Sequence, residues 1–402
     1  MIARVRIGVA GATGQVGSRL LRHLHAAGFP VVAAVRNPLA AALCDAAAPG
    51  CEIRIGSLVP EAGARHVLDD CEVLINCALE SSGGIPRQAY ARNRRLIDGL
   101  FEARALKWLV HFSTVAVYGE LIAAHADPER ARRHPHPTSE YGRSKLFVER
   151  YAARRAAARG IDRTVLRLGH VYGAGIARSR EIIELAQMAA FRLPCGGRLP
   201  SNAIHQDAVG AAIVGLLAGG PRQPIESLAE PTHSWRDVFD WHTGVLGLPP
   251  VLSMDDQESA GRRDTVSGAS IPREALAWLQ GLPIKALVRS PATFDLALRI
   301  LANTPDGITT RVSDANRRAG ARAQIACAEA SMTLAVPPLY LSSGMPGPFC
   351  DVPPPSADGL GSARERAREL REWHELWSMP RMRAAMMMGH GDALPAESRE
   401  WR

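Results

Sequence analysis

Apolar and polar positions alternate in blocks along the first 170 residues of the chain. Short, β-branched apolar runs predict buried strands, and segments between them space their apolar residues as helices do. The first of these segments places Leu20, Leu21 and Leu24 on one helical face. The predicted strands cover residues 4–10, 30–36, 51–55, 71–78, 107–113 and 163–169.

This alternation predicts an α/β domain with a parallel sheet that carries helices on both faces. Because crossover connections are right-handed, we expect a doubly wound, Rossmann-type sheet with a smaller C-terminal substrate domain. Residues 1–170 are assigned to the sheet domain. Residues 171–300 are assigned to a substrate-binding region with one or two segments that return to the sheet. Residues 301–402 form a helical, Pro/Gly-rich extension of unknown role.

Two further helices are predicted beyond residue 170. Residues 234–247 begin with a capping box formed by Ser234 and Asp237. Residues 362–377 carry an apolar stripe at helical spacing. The stripe consists of Ala363, Ala367, Leu370, Trp373 and Trp377. The favoured interpretation is a helix packed on the body of the protein, and a dimer contact or a membrane-surface helix is the alternative.

Composition is that of an ordinary water-soluble protein, with 47% hydrophobic and 22% charged residues among 402. The formal net charge of +8 suits anionic ligands such as nucleotides. No basic run interleaved with aromatic residues favours a nucleic-acid partner. The seven cysteines are odd in number and contain no CxxC pair. This usage indicates reduced thiols in a cytoplasmic protein and predicts neither disulfides nor a zinc site.

Membrane insertion is not predicted. Glycines interrupt the apolar N-terminal run, so it does not resemble a signal peptide. Residues 330–350 lack charge, but prolines at 337, 338, 346 and 348 break them as a membrane helix. We hypothesise instead that residues 330–350 form a roof over the substrate cleft.

A glycine-rich loop joins the first strand to the first helix, with Gly11, Gly14 and Gly17 spaced three apart. Such a loop turns sharply and lets a diphosphate approach backbone N–H groups at a helix N-terminus. Its position in a strand–loop–helix unit predicts a dinucleotide site, and a plain tight turn is the alternative. The predicted cofactor-binding residues here are Gly11, Thr13, Gly14, Gln15, Val16 and Gly17.

The second predicted strand ends at Arg36, where an NAD enzyme usually has an acidic residue that binds the adenosine ribose. Arginine at this position can pair with a 2′-phosphate. NADP is therefore the preferred cofactor, NAD the second choice, and an ordinary solvated arginine the alternative.

Tyr141 and Lys145 lie four residues apart in a predicted helix, so both side chains point the same way. Lysine occurs only three times in the chain, which makes a chance pairing improbable. Lowering a tyrosine pKa to near 7 takes about 4 kcal/mol, and a nearby ammonium and an oxidised nicotinamide both favour the phenolate. Ser113 and Thr114 end the strand before this helix, where ligands of a doubly wound sheet bind.

Together these segments resemble the extended short-chain dehydrogenase/reductase family, in its NAD-dependent epimerase/dehydratase group. The matching stretches include AGATGQVG, HFSTVAVYG, YGRSK and LRLGHVYGAG, and their order fits residues 4–250. The resemblance implies that Tyr141 is the general acid/base and Lys145 its partner and ribose ligand. It implies that Thr114 is the catalytic Ser/Thr, with Ser113 close by. It also places four residues against the cofactor: Asn76, Cys77, Ala78 and Asn93.

Three departures from the family pattern narrow the prediction. Val115 and Ala116 stand where dehydratases carry an Asp-Glu pair, which disfavours elimination of water. Gly169 and His170 replace the usual Pro and Asn that contact nucleotide sugars. Ser57 replaces an acidic residue near the adenine. His205 and Asp207 match a further family stretch, and we interpret them as structural.

The sequence therefore predicts hydride transfer at a secondary alcohol or ketone carbon with NADP or NAD. A nucleotide-sugar epimerase and an NADPH-dependent ketone or aldehyde reductase remain alternatives, as does a non-catalytic cofactor sensor or RNA-associated protein. The expected partner is a small-molecule substrate, with no nucleic acid or membrane and with a homodimer as one option. No metal site is predicted, because the histidines lack ligand spacing.

Overall fold

A computed structural model of the chain describes residues 5–59, 65–79, 86–118, 134–135, 137, 140–187, 191–198, 201–221, 224–230, 234–253 and 362–378. The predicted roof at 330–350 and most of the C-terminal extension lie outside these residues. In the sequence, Thr138 and Ser139 are the candidate N-caps of the helix that carries Tyr141, and His136 and His390 are two of the histidines that lack ligand spacing; all four lie outside the described residues.

The main sheet has seven strands, and every pairing in it is parallel. Its strands are β1 (Ile7–Ala10), β2 (Val31–Val35), β3 (Glu52–Ile55), β4 (Val73–Asn76), β5 (Trp108–Thr114), β6 (Asp162–Leu168) and β9 (Ile225–Leu228). The order β3-β2-β1-β4-β5-β6-β9 reverses direction at β1, and this confirms the doubly wound prediction. A second, two-stranded sheet pairs β7 (His170–Tyr172) with β8 (Ala203–His205).

Eight helices occur among the described residues. They are α1 (Gln15–Ala26), α2 (Pro38–Ala47), α3 (Pro86–Leu100), α4 (Glu140–Arg159), α5 (Ala177–Ala186), α6 (Gln206–Gly219), α7 (Trp235–Leu246) and α8 (Ala363–Ser378). Helices α1, α2 and α6 cover one face of the main sheet, while α3 and α4 cover the other. No described helix has both the length and the apolar character needed to cross a membrane.

Along the strands of the main sheet, successive side chains point alternately into the hydrophobic layers on the two faces of the sheet. In β4, Ile75 packs on the α1 side and Leu74 on the α3 side, and neither side chain is exposed. Side chains of a strand alternate between faces, so a sheet covered on both faces needs apolar residues at every position. This explains why the strands are continuous apolar runs in the sequence.

The two predicted later helices are present. At the start of α7, Ser234 and Asp237 form the predicted capping box. In α8, the Leu370 side chain is completely buried, and Arg371 Nε donates to the carbonyl oxygen of Val245 at 2.9 Å. Helix α8 therefore packs on the body of the protein, as the favoured interpretation of the stripe expected, although the side chain of Trp377 lies outside the description.

Candidate active site

A cleft of about 1310 Å³ runs along the carboxyl edge of the main sheet. Ligands of doubly wound sheets bind at this edge, where the strand order reverses. Each of the six neighbouring strands from β3 to β6 delivers the residues at or just after its end to the cleft wall. These include Gly11, Arg36, Ser57, Cys77, Thr114 and Gly169.

The glycine loop is built for close approach between backbone segments. Gly11 has φ +81°, and a Cβ there would lie 2.7 Å from the amide nitrogen of Ala78. A Cβ on Gly17 would lie 2.1 Å from the carbonyl oxygen of Gly11. Gly14 begins α1 without a side-chain cap, and the first turn contains no acidic residue. The helix N-terminus therefore fits the diphosphate of a dinucleotide.

All six predicted residues of this loop line the cleft. Gln15 also reaches across it, because its Oε1 accepts a hydrogen bond from the amide of Ala177 at 3.2 Å. This contact ties the start of α1 to the start of α5, whose residues form the far wall. This hydrogen bond therefore bridges two walls of the cleft at one point.

Tyr141, Lys145 and Thr114 meet on the opposite wall of the same cleft. The Tyr141 hydroxyl is hydrogen-bonded to Thr114, while its ring remains half-exposed. Lys145 is buried, and its Nζ donates to the carbonyl oxygen of Phe112 at 2.9 Å. Gly142 allows this arrangement, because a Cβ there would lie 2.4 Å from the carbonyl oxygen of Ala116.

Burial shifts the ionisation of both groups. It raises the pKa of Tyr141, and the hydrogen bond from Thr114 only partly opposes this effect. The lowering expected from the sequence is therefore not supplied by the protein's own charges. Burial lowers the pKa of Lys145 to about 8, while Cys77 and Glu149 oppose that shift. Lys145 can thus change its charge within the ordinary working range of an enzyme.

A buried ionic cluster that was not predicted lies directly beneath this site. Glu149 accepts a hydrogen bond from the Ser113 hydroxyl and forms an ion pair with Arg167, whose Nη2 lies 2.7 Å from Glu149 Oε2. Both charged side chains are at most 3% exposed. Ser113 lines the cleft, but its hydroxyl is engaged with Glu149 instead of with Tyr141. The missed signal was spacing, since Glu149 follows Lys145 by four residues on one helical face.

Two residues that the resemblance placed against the cofactor are not in the cleft wall. Asn76 is fully buried; its Oδ1 accepts from the amide of Ala78 at 3.0 Å, and its Nδ2 donates to His111 Nδ1 at 3.0 Å. Asn93 is also buried and does not line the cleft. Asn76 therefore supports the turn that presents Cys77 and Ala78, instead of facing the cleft itself.

Cys77 is not suited to nucleophilic chemistry. Burial raises its pKa to about 12 against the opposing charge of Lys145, so its thiol stays protonated at neutral pH. The described cysteines form no disulfide. Within the described ranges, no group of three side chains could hold a metal ion.

His205 and Asp207 lie in a buried network away from the cleft wall. His205 caps α6 by accepting from the amide of Asp207 at 3.2 Å. Asp207 is fully buried, forms an ion pair with Arg19, and lies 2.9 Å from His23 Nε2. Their contacts join α6 to α1, which agrees with a structural role.

Comparison with known proteins shows that part of the chain is similar to a protein family. Residues 7–191 match the model of the NAD dependent epimerase/dehydratase family. This part of the chain is therefore similar to that family. The matched segment contains the glycine loop, Thr114, Tyr141 and Lys145, whereas His205 and Asp207 lie beyond its end.

Two curated proteins are similar to part of the chain. One is 2′-dehydrokanamycin reductase of Streptomyces kanamyceticus, 29% identical over 61% of this chain and 68% of the relative. The other is dTDP-6-deoxy-L-talose 4-dehydrogenase (NAD(P)(+)) of Kitasatospora kifunensis, 32% identical over 43% of this chain and 54% of the relative. Both names describe oxidation or reduction.

Solved structures share the fold of the epimerase/dehydratase domain. UDP-N-acetylglucosamine 4-epimerase from Methanobrevibacter ruminantium M1 superposes with a TM-score of 0.50 at 18% identity, over 64% of this chain and 86% of that one. The superposed part of this chain therefore has the fold of that structure.

The cleft wall opposite the glycine loop contains Gly169 and His170, the two residues at which the sequence departs from the pattern of the family that it resembles. It is formed by Gly169, His170 and Val171 and by the first turns of α5. The His170 ring packs on Trp235 with centroids 5.3 Å apart, and its burial keeps its pKa well below the usual value. Because its pKa is lowered in this way, His170 contributes an uncharged imidazole to this wall of the cleft.

Proposed function

We propose that the protein is an NADP(H)-dependent oxidoreductase that interconverts a secondary alcohol and a ketone on a sugar-containing small molecule. The observation that carries this proposal is the meeting of Tyr141, Lys145 and Thr114 in one cleft with the glycine loop. A proton donor and a dinucleotide site that share a cleft are what hydride transfer to a carbonyl requires.

Each side chain has a part in the reductive direction. The bound nicotinamide supplies the hydride. Tyr141 gives its hydroxyl proton to the carbonyl oxygen as that oxygen gains negative charge, and Thr114 holds the same oxygen by a hydrogen bond. The phenol carries its proton at neutral pH, as a proton donor must, because the pKa of tyrosine is ordinarily near 10 and burial raises the pKa of Tyr141 further. The Lys145 ammonium stabilises the phenolate that remains.

The two curated relatives support a sugar substrate and net oxidation or reduction. One is named as a reductase and the other as a dehydrogenase. The absence of an Asp-Glu pair after Thr114 disfavours a dehydratase. Val115 and Ala116 instead form a short 3-10 turn, where they offer no acid or base.

NADP(H) is proposed over NAD(H) because of the charge at the end of β2. Arg36 lines the cleft there, and no acidic side chain is present to bind a free ribose hydroxyl. The only carboxylate in the described wall of the cleft belongs to Glu181, which pairs with Arg178 at 2.7 Å.

Epimerisation of a nucleotide sugar is the second candidate, and the family match favours it. The two reactions share the same acid/base groups and differ in the fate of the cofactor. A cofactor that stays bound and returns its hydride to the other face gives epimerisation, whereas one that exchanges gives reduction. A non-catalytic sensor is disfavoured, since binding alone requires none of Thr114, Tyr141 and Lys145.

The first test offers the protein a panel of keto sugars, with and without nucleotide carriers. Consumption of NADPH or NADH is monitored by the loss of cofactor absorbance. The wild-type protein is expected to consume NADPH faster than NADH with at least one ketone. Tyr141→Phe should lower kcat/KM by about 10²- to 10⁴-fold, because it removes the proton donor. Tyr151→Phe is the matched control on α4, where its hydroxyl donates to Asp98 at 2.6 Å away from the cleft.

The same preparation separates the two candidates. If cofactor copurifies in a one-to-one ratio and a nucleotide sugar is epimerised without net NADPH consumption, the epimerase is correct and the reductase is wrong. If Tyr141→Phe and Tyr151→Phe are equally active on every substrate of the panel, Tyr141 is not the acid and both candidates fail.

A further inference from the structure

We propose that Arg92 and Arg95 form, with Arg36, a three-arginine site that binds the 2′-phosphate of NADP(H). The inference rests on the proposed function, because it assumes a dinucleotide in the cleft. It adds a second wall to the cofactor site, on a helix that neither the glycine motif nor the end of β2 indicates. Arg36 approaches from the β2 end, and Arg92 and Arg95 approach from α3.

The placement of α3 brings both arginines to this end of the cleft. Gly99 on α3 abuts the loop 57–59 so closely that a Cβ would lie 2.0 Å from the carbonyl oxygen of Leu58. Arg95 and Arg92 precede Gly99 by four and seven residues, which places all three on one helical face. The arginines therefore extend along the cleft from the point where α3 touches that loop.

The same loop is fastened beside Arg36. The amide of Gly56 donates to the carbonyl oxygen of Val35 at 2.8 Å, which holds the ends of β2 and β3 together. The Ser57 hydroxyl then donates to the carbonyl oxygen of Val59 at 2.8 Å and closes the turn. Arg36, the loop and the two α3 arginines all line the same cleft. The end of β2, where Arg36 lies, is where a Rossmann-type site holds the adenosine ribose.

Arg92 and Arg95 add positive charge to the cleft wall. Within the described part of the chain, neither Arg92 nor Arg95 forms an ion pair, and both side chains are exposed. The nearest arginine in sequence behaves differently. Arg94 points to the other flank of α3, where its Nε donates to the Tyr151 hydroxyl at 3.2 Å, and it does not line the cleft.

A phosphate monoester on the ribose fits this arrangement better than a hydroxyl does. Guanidinium groups pair with phosphate through parallel charge-assisted hydrogen bonds, and a dianion gains most from several cations that approach from different sides. A ribose hydroxyl would leave three arginines around a neutral group. The site therefore selects for the 2′-phosphate by charge and by direction of approach.

The test uses the full chain and two small probes, and it does not depend on turnover. Adenosine 2′,5′-bisphosphate and ADP carry the same number of phosphates, and only the first has one on the 2′ oxygen. Titration calorimetry should show tighter binding of the bisphosphate to the wild-type protein. Arg92→Gln and Arg95→Gln should each weaken bisphosphate binding about tenfold and leave ADP binding within about twofold, since a hydrogen bond to a charged group contributes about 1.5 kcal/mol.

Three variants complete the design. Arg36→Gln is the reference and should lose bisphosphate affinity by at least as much. Arg94→Gln is the matched control and should bind both probes like the wild type. Arg95→Lys should recover part of the lost affinity because it restores the charge without the planar fork.

The outcomes separate this inference from the proposed function. Equal losses for both probes would assign Arg92 and Arg95 to the diphosphate, and no loss would make them surface residues; either result overturns the inference while redox activity stands. A wild-type protein that binds ADP more tightly overturns the NADP preference as well. Absence of ketone reduction with intact bisphosphate selectivity would remove the proposed reaction and leave the three-arginine site in place.

Discussion

At the scale of single residues, Glu149 links α4, the helix that carries Tyr141 and Lys145, to the interior of the protein. It lies one turn beyond Lys145 and two turns beyond Tyr141 on the same face of α4. Its ion pair with Arg167 is buried, and its charge opposes the burial that lowers the pKa of Lys145. The carboxylate therefore helps to keep the lysine protonated in a site that disfavours a bare ammonium.

Glu149→Gln should consequently move the activity profile along the pH axis. With the carboxylate removed, the pKa of Lys145 falls further below its present value of about 8. The ammonium is then lost at a lower pH, so the alkaline limb of kcat/KM against pH shifts to lower pH. The measurement is a pH–rate profile in the reductive direction.

The conservative variant controls for the loss of stability that an unpaired Arg167 brings. Glu149→Asp keeps the charge and should retain an alkaline limb near that of the wild type. A glutamine variant that loses activity equally at every pH, or that is indistinguishable from Glu149→Asp, would mean that Glu149 serves packing alone.

At the residue scale, local spacing in the sequence was enough to predict that Tyr141, Lys145 and Thr114 line the cleft. Tyr141 and Lys145 are one turn apart, and Thr114 ends a strand, so their shared direction follows from backbone geometry. The uses of Asn76 and Ser113 could not be anticipated in the same way. Their partners, His111 and Glu149, are 35 and 36 residues away, and only the packing of neighbouring elements brings each pair together.

At the scale of elements, the main feature of the cleft is the junction of β1, the glycine loop and α1. Gly17 lies inside α1, where a helix-favouring residue would be expected from propensity alone. The close approach of the Gly11 carbonyl oxygen explains the glycine, because no side chain fits between helix and loop. The helix is thereby drawn against the loop, with its N-terminus facing the cleft.

Gly17→Ala should therefore destabilise the protein by about 1–3 kcal/mol and weaken dinucleotide binding, because the added Cβ forces the loop from the helix. Gly215→Ala in α6 is the matched control. A Cβ there meets nothing within 4 Å, so the change should be neutral or stabilising by up to about 1 kcal/mol. Urea unfolding and calorimetry with ADP measure the two effects. Equal free energies of unfolding for the two variants would contradict the steric explanation.

Predicted and observed elements agree for the six strands of residues 4–169 and differ beyond them. Strands β7, β8 and β9 were not predicted individually; they have only three or four residues each. A run of that length shows too little periodicity to be recognised. These strands exist because β6 and the neighbouring segments offer them backbone partners.

Helix α8 is the principal long-range feature at the scale of the whole molecule. Glu369 pairs with Arg19 at 2.8 Å and with Arg22 at 3.2 Å, so the C-terminal segment is joined to the helix that begins at the glycine loop. Arg19 also contacts the buried Asp207. The network therefore connects α1, α6 and α8 beneath the cofactor side of the sheet.

Removing this connection should lower stability more than removing a surface pair. Glu369→Gln takes a carboxylate from a largely buried arginine, and we expect a loss of about 2 kcal/mol in the free energy of unfolding. Glu372→Gln on the same helix breaks only an exposed pair with Arg368 and should cost less than about 0.5 kcal/mol. Chemical denaturation of the two variants checks the difference, and similar losses would show that α8 is only loosely held.

The sequence by itself determined the parallel sheet, the glycine corner at the start of α1 and the pairing of Tyr141 with Lys145. All of these are local, since they depend on the period of a strand or helix and on the conformational range of glycine. Tertiary structure alone decided which polar residues face the cleft, that α3 brings Arg92 and Arg95 into the same cleft as Arg36, and that α8 contacts Arg19. Those contacts join positions far apart in the chain, and their geometry is set by how the elements pack around the sheet.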